Sequence, residues 1–549
     1  MPCRKLFSLL VFVITACLLP LAAAQQAGNS FVGRQVMSIK WDAEFKQGEQ
    51  IVGRSSLADI YTVGRQNGDW LWVESSQGWI NRADVVPVEQ ALDHFNRLIQ
   101  RDPSSANYYH RALVREALGE LDRAIEDFTE SLRQEADASV YSARGVTWHE
   151  KGDFDKAIAD FSEAIRRDPM HEFLYDIYDN RGLSWQRKGN FDRAIADFSE
   201  SIRLRPTFDM AYNHRGWAWH SKGDYDMAIA DFNEAIRLDA KYVDALNNRG
   251  LSWHGKADYD KAIADFGEAI RLNPRISAAW KNRGWSWEAK GDRDKAIADY
   301  TEAIRLNPQF AQAFNNRGWN LHQKGEHDKA IADFDAAIRL DPNYLFAHMN
   351  RGASWESKRE FDKAIADYTR AMEINPSWVF AHNNRGWVWF LKDELDKAIV
   401  DFNKAIEIDP KLALAHKNRG TAWLNKADYA KALADFNKAI EIDPAFAAAY
   451  HYRSWLRATA GSADFRDGEA ALADAEKYQQ LRPTADFWVC RGLAAALAEL
   501  GKFEQAVEWQ QKALEQARAA ANRIAEDDVK EAESCLALYQ SGKPYHRQP

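Results

Sequence analysis

Arginine returns every 34 residues through most of this chain. It stands at Arg181, Arg215, Arg249, Arg283, Arg317, Arg351, Arg385, Arg419 and Arg453, with irregular members at Arg111, Arg144 and Arg491. A fixed period of this length means one supersecondary unit stacked on copies of itself. A single unit cannot bury its apolar face alone, so the array is a quasi-one-dimensional solenoid that offers an extended surface to ligands. A chain of 549 residues is also too long for one compact core. Binding is therefore the leading functional class before any site is considered.

One unit, residues 277 to 310, shows the local logic. Ala278, Ala279 and Trp280 open a first helix that runs to about Ala289. Lys290-Gly291-Asp292 is a turn, with a Gly suited to the left-handed C′ position and an Asp suited to the next N-cap. A second helix follows from Asp294 through Ala303 and Ile304. Asn307-Pro308 ends it, because Pro disfavours helix in the residue before it. Two helices, a Gly turn, a terminal Pro and this period resemble the tetratricopeptide repeat. Gly284, Trp287, Ala296, Tyr300, Ala303 and Pro308 fall at that family's signature positions. The likeness covers about three quarters of the chain, residues 105 to 518 of 549, as twelve repeats. It implies an all-α superhelical solenoid of helix-turn-helix repeats whose first helices line a concave groove.

The family has Leu before the signature Gly, whereas this chain has Arg. An Asp follows sixteen residues later in most repeats. The recurring couples Arg215 and Asp231, Arg249 and Asp265, Arg283 and Asp299, and Arg317 and Asp333 read as structural ion pairs within or between repeats. The other reading, an arginine ladder for anionic ligands, needs those guanidinium groups free.

Each helical residue turns about 100°, which divides the tryptophans. Trp148, Trp185, Trp219, Trp253, Trp287, Trp355, Trp389 and Trp423 share the packing stripe and are expected in the core. Trp217, Trp285, Trp319, Trp387 and Trp455 lie on the opposite stripe, which by the family resemblance faces the groove. Aromatics there can stack on a ligand or pack on the neighbouring first helix. Asn180, Asn248, Asn282, Asn316, Asn350, Asn384 and Asn418 directly precede the Arg. A column of amides can hydrogen-bond an extended chain without reading its sequence. It resembles the asparagine ladder of the protein O-linked N-acetylglucosamine transferases, although no glycosyltransferase domain follows. The alternative is that these Asn residues cap or bridge helices. His149, His220, His254 and His322 lie near the edge of this face and are read as groove polarity at most.

Residues 31 to 87 differ from the array. Val32 to Lys40, Ile51 to Arg54, Asp59 to Val63, Trp70 to Glu74 and Gly78 to Asn81 read as short strands separated by polar turns. A small all-β barrel is expected. The run Gly68-Asp69-Trp70-Leu71-Trp72-Val73 with Gly78-Trp79-Ile80 resembles the bacterial SH3-like domain, which implies a cell-wall or protein ligand. Alternation puts Trp70 and Trp72 on one face, so at least one is expected to be core. Residues 89 to 103 read as a half-repeat helix capping the array. Inserts fall near Met170 to Leu174 and Gly461 to Gly468. Within residues 519 to 549, Ile524 to Gln540 are expected to close the array as an amphipathic helix and Ser541 to Pro549 to form a disordered tail.

At the other end, Arg4 and Lys5, the apolar stretch Leu6 to Leu19 and Ala22-Ala23-Ala24 read as a signal peptide over residues 1–24. A periplasmic or secreted protein is expected. Ile14-Thr15-Ala16-Cys17 offers lipid anchoring through Cys17 as the alternative. Cleavage would leave Cys490 and Cys535, either paired or as buried thiols. The net charge of -9 and the interleaving of both signs argue against nucleic acid. No membrane span is expected in the mature chain. No phosphate loop, HExxH or GxSxG run is present, so neither catalysis nor a cofactor or metal is expected. The expectation is an exported scaffold that holds a peptide or protein segment in the repeat groove. The alternative makes the SH3-like domain the binding module and the solenoid a spacer; an enzyme is a remote third.

Overall fold

The structure is a computed structural model that describes residues 31–39, 43–55, 60–482, 486–519 and 524–547. The signal segment 1–24 with Cys17 lies outside them. The chain divides into two compact units at Arg275/Ile276.

The first unit opens with seven short strands: β1 (Gln35–Ser38), β2 (Glu44–Gln47), β3 (Gln50–Arg54), β4 (Ile60–Asn67), β5 (Trp70–Val73), β6 (Gly78–Asn81) and β7 (Val85–Pro87). Their order is β3-β2-β6-β5-β4-β1-β7, with antiparallel pairing throughout. Val36, Phe45, Val63, Leu71, Val73, Ile80 and Val85, drawn from six of these strands, meet in one core with Phe31 and Ala43. A sheet in which six of seven strands contribute to one core must wrap around it; β3 buries no side chain. Strands β2 and β7 escaped the sequence reading because each is short and β2 buries a single residue, Phe45. The alternation in β5 also runs opposite to expectation. Leu71 and Val73 point inward, and Trp70 and Trp72 stay half-buried on the outer face. Neither tryptophan fills the core; the smaller Leu and Val do.

Helix α1 (Val88–Arg101) follows β7 directly. Its Val88, Ala91 and Phe95 join Met37 of β1 and Val114 in a second small core. The helix thus fastens the sheet to the array. Five helix pairs complete this unit: α2 (Ser105–Ala117) with α3 (Leu121–Gln134), α4 (Ala138–Lys151) with α5 (Phe154–Arg167), α6 (Leu174–Arg187) with α7 (Phe191–Leu204), α8 (Asp209–Lys222) with α9 (Tyr225–Leu238), and α10 (Val243–Gly255) with α11 (Tyr259–Leu272).

The second unit holds seven pairs: α12 (Ser277–Ala289) with α13 (Arg293–Leu306), α14 (Ala311–Gln323) with α15 (His327–Leu340), α16 (Leu345–Ser357) with α17 (Phe361–Ile374), α18 (Val379–Leu391) with α19 (Leu395–Ile408), α20 (Ala413–Asn425) with α21 (Tyr429–Ile442), α22 (Ala447–Thr459) with α23 (Gly468–Leu481), and α24 (Phe487–Glu499) with α25 (Phe503–Ala519). Helix α26 (Glu526–Gln540) closes it. Cys490 and Cys535 are both buried as thiols.

The pair α12 and α13 shows why each repeat folds. Gly291 takes φ +83° in the turn, which costs a residue without Cβ little. The Asp292 side chain accepts a hydrogen bond from the Lys295 amide and caps α13. Ala296, Tyr300 and Ala303 are fully buried. Gly284 on α12 gives the Tyr300 ring room, since a Cβ there would lie 3.0 Å from Tyr300 Cε1. Phe198, Phe232, Phe266, Phe334, Phe402 and Tyr368 occupy the corresponding place, all fully buried. These rings, with Ala and Gly facing them, form the core. The tryptophans assigned to the packing stripe do not. Trp148, Trp253, Trp287 and Trp423 are half-buried, each beneath a lysine of its repeat's second helix. Lys156, Lys261, Lys295 and Lys431 sit 4.1, 4.3, 4.3 and 4.2 Å from the respective ring centres. The stripe faces the partner helix, but the large indoles reach its rim, where cations roof them.

Candidate binding face

The periodic Arg is a three-way connector. Arg215 on α8 donates from Nε and Nη2 to Asp231 on α9, at 2.8 and 2.7 Å, a bidentate pair inside one repeat. The same geometry joins Arg249 to Asp265, Arg283 to Asp299 and Arg317 to Asp333, with both contacts between 2.6 and 2.8 Å. The remaining Nη1 turns to the second helix of the preceding repeat. Arg215 reaches Ser199 Oγ at 3.0 Å, Arg249 reaches Asn233 Oδ1 at 2.7 Å, and Arg317 reaches Thr301 Oγ1 at 3.1 Å. Arg111 makes this contact to Asn96 of α1 at 2.9 Å, so α1 stands in for a second helix. With all three nitrogens engaged, the guanidinium groups of Arg215, Arg249 and Arg317 are committed to the fold and are not available as an anion ladder. The sequence reading missed the third partner, although a polar residue two places after the Asp marks it.

First helices of successive repeats touch within each unit, as α8 touches α10 and α14 touches α16. Three of the seven predicted ladder amides are spent on this contact. Asn248 donates to Asn213 at 3.0 Å, Asn350 to Asn315 at 3.0 Å and Asn418 to Asn383 at 2.9 Å. Asn315 and Asn383 in turn donate to Asn316 and Asn384, both at 3.2 Å. Asn180 lies 3.4 Å from Asp176 on its own helix, and Asn282 is buried. The amides therefore bridge helices more than they line a surface. An open seven-rung ladder is not what these side chains form.

The opposite tryptophan stripe is uneven. Trp285 is 42% exposed, and Trp217, Trp319 and Trp387 are half-buried. Three of them lie flat on the residue one turn later. Trp217 stacks on His220 at 4.9 Å, Trp319 on His322 at 5.3 Å and Trp387 on Phe390 at 4.9 Å. The histidines are also inter-helix bolts. His149, His220 and His322 hydrogen-bond Ser184, Ser252 and Ser354 of the next first helix at 2.8, 2.9 and 2.9 Å. Burial lowers their pKa, that of His149 to about 4, so they act as neutral rings near pH 7. Trp455 departs from the prediction. It is 8% exposed, beneath the Arg491 guanidinium at 4.3 Å and beside Tyr545 at 6.2 Å. The segment after α26 folds back over it, which the repeat register could not reveal.

Charged groups punctuate the same faces. In the first unit, Asp176 and Asp179 on α6 are buried, and His214 Nδ1 lies 2.9 Å from Asp179 Oδ2. Burial, with the Asp179 carboxylate nearby, pushes Asp176 up to about 7. In the second unit, Lys417 is 9% exposed between the rings of Trp387 and Tyr452, at 5.1 and 5.5 Å. Burial lowers it to about 8.

The sheet carries a hollow of about 270 Å³ lined by Lys46, Gly48, Asn67, Trp70 and Trp79. The Lys46 ammonium stands 5.9 Å from the Trp70 ring, and Trp72 meets Trp79 edge-on at 5.4 Å. No group of three or more His, Cys, Asp or Glu could hold a metal among the described residues. No described helix is long and apolar enough to cross a membrane.

Family models described as tetratricopeptide repeat match residues 109–172, 243–276, 288–344, 379–412, 413–446 and 492–519, and one described as TPR repeat matches 216–256. No curated protein matches the chain. Among solved structures, a tetratricopeptide repeat protein from Parabacteroides merdae is 18% identical, covering 46% of this chain and 98% of its own, with a TM-score of 0.39. Yeast Tom70 is 17% identical over 80% of this chain and 96% of its own, with a TM-score of 0.39. YrrB, described as a TPR protein with an unusual peptide-binding site, is 23% identical over 34% of this chain and 95% of its own, with a TM-score of 0.29.

Proposed function

The chain belongs to the tetratricopeptide repeat family, a family of protein-protein interaction scaffolds, and on that premise we propose that it is an exported scaffold holding an extended segment of a partner protein against its first helices. The supporting observation is the aromatic stripe. In the second unit Trp285 is 42% exposed, and Trp319 and Trp387 lie flat on His322 and Phe390; in the first unit Trp217 lies flat on His220. A flat indole backed by a second ring loses little freedom on binding and presents broad area for side chains or backbone. The amide column has a smaller part in this reading, because Asn248, Asn350 and Asn418 are already engaged with neighbouring helices. Export rests on the residues 1–24 pattern, with Cys17 anchoring as its variant.

Partner capture tests the proposal. Wild type is compared with Trp285→Ala/Trp319→Ala/Trp387→Ala, with Asn248→Ala/Asn282→Ala/Asn316→Ala/Asn350→Ala, and with a chain lacking residues 31 to 87. The tryptophan variant should lose partners at least tenfold while remaining helical. Undiminished capture by that variant sinks the proposal.

A second reading has its own observation, the hollow between Lys46, Asn67, Trp70 and Trp79. Two outward indoles beside an ammonium suit a flat ligand with a polar edge, such as a cell-wall or peptide segment. In that reading the SH3-like region binds and the array is a spacer. Loss of all partners on deletion of residues 31 to 87 would favour it.

A further inference from the structure

Past α26 the chain does not run off into solvent. Pro544 to Arg547 adopt no helix or strand and lie half-buried along the C-terminal ends of α20, α22 and α24. Each of three consecutive residues has its own receptor. The Tyr545 ring packs beside Trp455 of α22, at 6.2 Å, and its hydroxyl donates to Glu531 of α26 at 2.8 Å. His546 Nε2 meets Glu499, the last residue of α24, at 2.7 Å. Arg547 donates from its amide to the Thr459 carbonyl at 2.8 Å and from Nη2 to Asn425 at 3.2 Å, at the ends of α22 and α20. Gly461 permits the approach, since a Cβ there would fall 2.7 Å from the Arg547 carbonyl oxygen. The insert of the eleventh repeat supplies that glycine. Arg491 spans Asp528 and Glu531 and lies on Trp455, so the floor of the cleft is held by helices other than the strap.

This is how a receptor holds a peptide. An aromatic residue enters a pocket with an aromatic wall, and a base follows it against acceptors. The acceptors, two carboxylates, an amide and a helix-end carbonyl, select for donors. We propose that this cleft is a binding site for an extended segment carrying an aromatic residue followed by one or two bases, and that Tyr545-His546-Arg547 is its resident, displaceable occupant. The strap keeps the site closed until a competing segment of the same chemistry takes its place. The cleft is built from residues other than Trp285, Trp319 and Trp387, so this proposal and the stripe reading fail independently.

The probe is a fluorescent peptide of residues 541 to 549, titrated by anisotropy against the full chain and against a chain ending at Gly542. Circular dichroism and a melting curve accompany both. The truncated chain should bind at least tenfold more tightly than the full chain, and a Tyr545→Ala peptide should lose at least tenfold. A folded truncation that does not bind overturns the proposal, as does equal binding to both chains. If the truncation fails to fold, Tyr545→Ala/Arg547→Ala in the full chain takes its place in the same titration. Unfolding of that variant as well makes the strap a structural element and overturns the proposal.

Discussion

Arg317 grips Asp333 through two parallel hydrogen bonds, Nε to Oδ2 at 2.8 Å and Nη2 to Oδ1 at 2.7 Å, and spends its last nitrogen on Thr301 one repeat back. The Asp side chain is 8% exposed and the Arg 21%. Removing the carboxylate would strand a half-buried guanidinium, at a cost of about 3 kcal/mol. Asp333→Ala should therefore lower the urea midpoint far more than Thr301→Val, which removes one neutral acceptor and costs about 1 kcal/mol. Arg317→Lys should resemble the Asp change, because an ammonium cannot match the bidentate fork. Equal midpoints for wild type and Asp333→Ala would contradict this.

Asp176 ties stability to pH. Its folded pKa, about 7, lies above its ordinary value of 3.8 because burial disfavours the charged form. The folded state therefore keeps a proton that the unfolded chain releases. The resulting contribution is complete below pH 3.8 and is lost as pH rises through 7. Asp176→Asn, which stays neutral, should raise the melting temperature relative to wild type at pH 8 and change it little at pH 4. The corresponding difference in unfolding free energy at pH 8 should be on the order of a few kcal/mol. A variant that tracks wild type at both pH values would contradict the assignment.

Four repeats lack glycine in their turn. Ala257, Arg359, Asp393 and Ala427 take φ between +58° and +62°, where Cβ is crowded by the backbone. Replacing Arg359 or Ala427 with Gly should stabilise by about 1 kcal/mol, read as a higher midpoint in chemical denaturation. Gly291→Ala at φ +83° should do the reverse.

Gly318 tests the opposite constraint. It is helical, so propensity alone favours Ala by about 1 kcal/mol. A Cβ there would stand 2.8 Å from Phe334 Cε1 and 3.1 Å from the Ala330 carbonyl oxygen. Gly318→Ala should destabilise by about 2 kcal/mol, since the ring is fully buried and the carbonyl belongs to a helix. A more stable variant would show that α14 and α15 separate freely.

Much of this was legible in the chain. The Arg period set the register, and the Asp sixteen residues later identified the carboxylate that Arg215 holds. The Gly turns, the N-capping Asp residues and the terminal Pro marked the helices. Depth was harder to read. Trp287 shares a helix stripe with Gly284, yet Tyr300 takes the buried space and the indole is left at the rim beneath Lys295. Periodicity reports direction and not distance from the axis. Contacts between repeats were also hidden, because Asn248 finds Asn213 35 residues back, one step off the period. Trp455 shows the last limit. Its register matches Trp285, and only the fold-back of Tyr545 makes it buried.

The Arg connector carries one more consequence. Most repeats with this pattern bear both halves of the joint: an Arg that reaches backward, and a Ser, Asn, Thr or Asp that receives the next Arg, as Asp335 receives Arg351; the repeat of Arg249 has Gly267 at the receiving place instead. A copied repeat would therefore arrive with both ends already matched to its neighbours. Such a chain can lengthen or shorten by whole repeats without a compensating change elsewhere, much as bricks of one mould extend a wall.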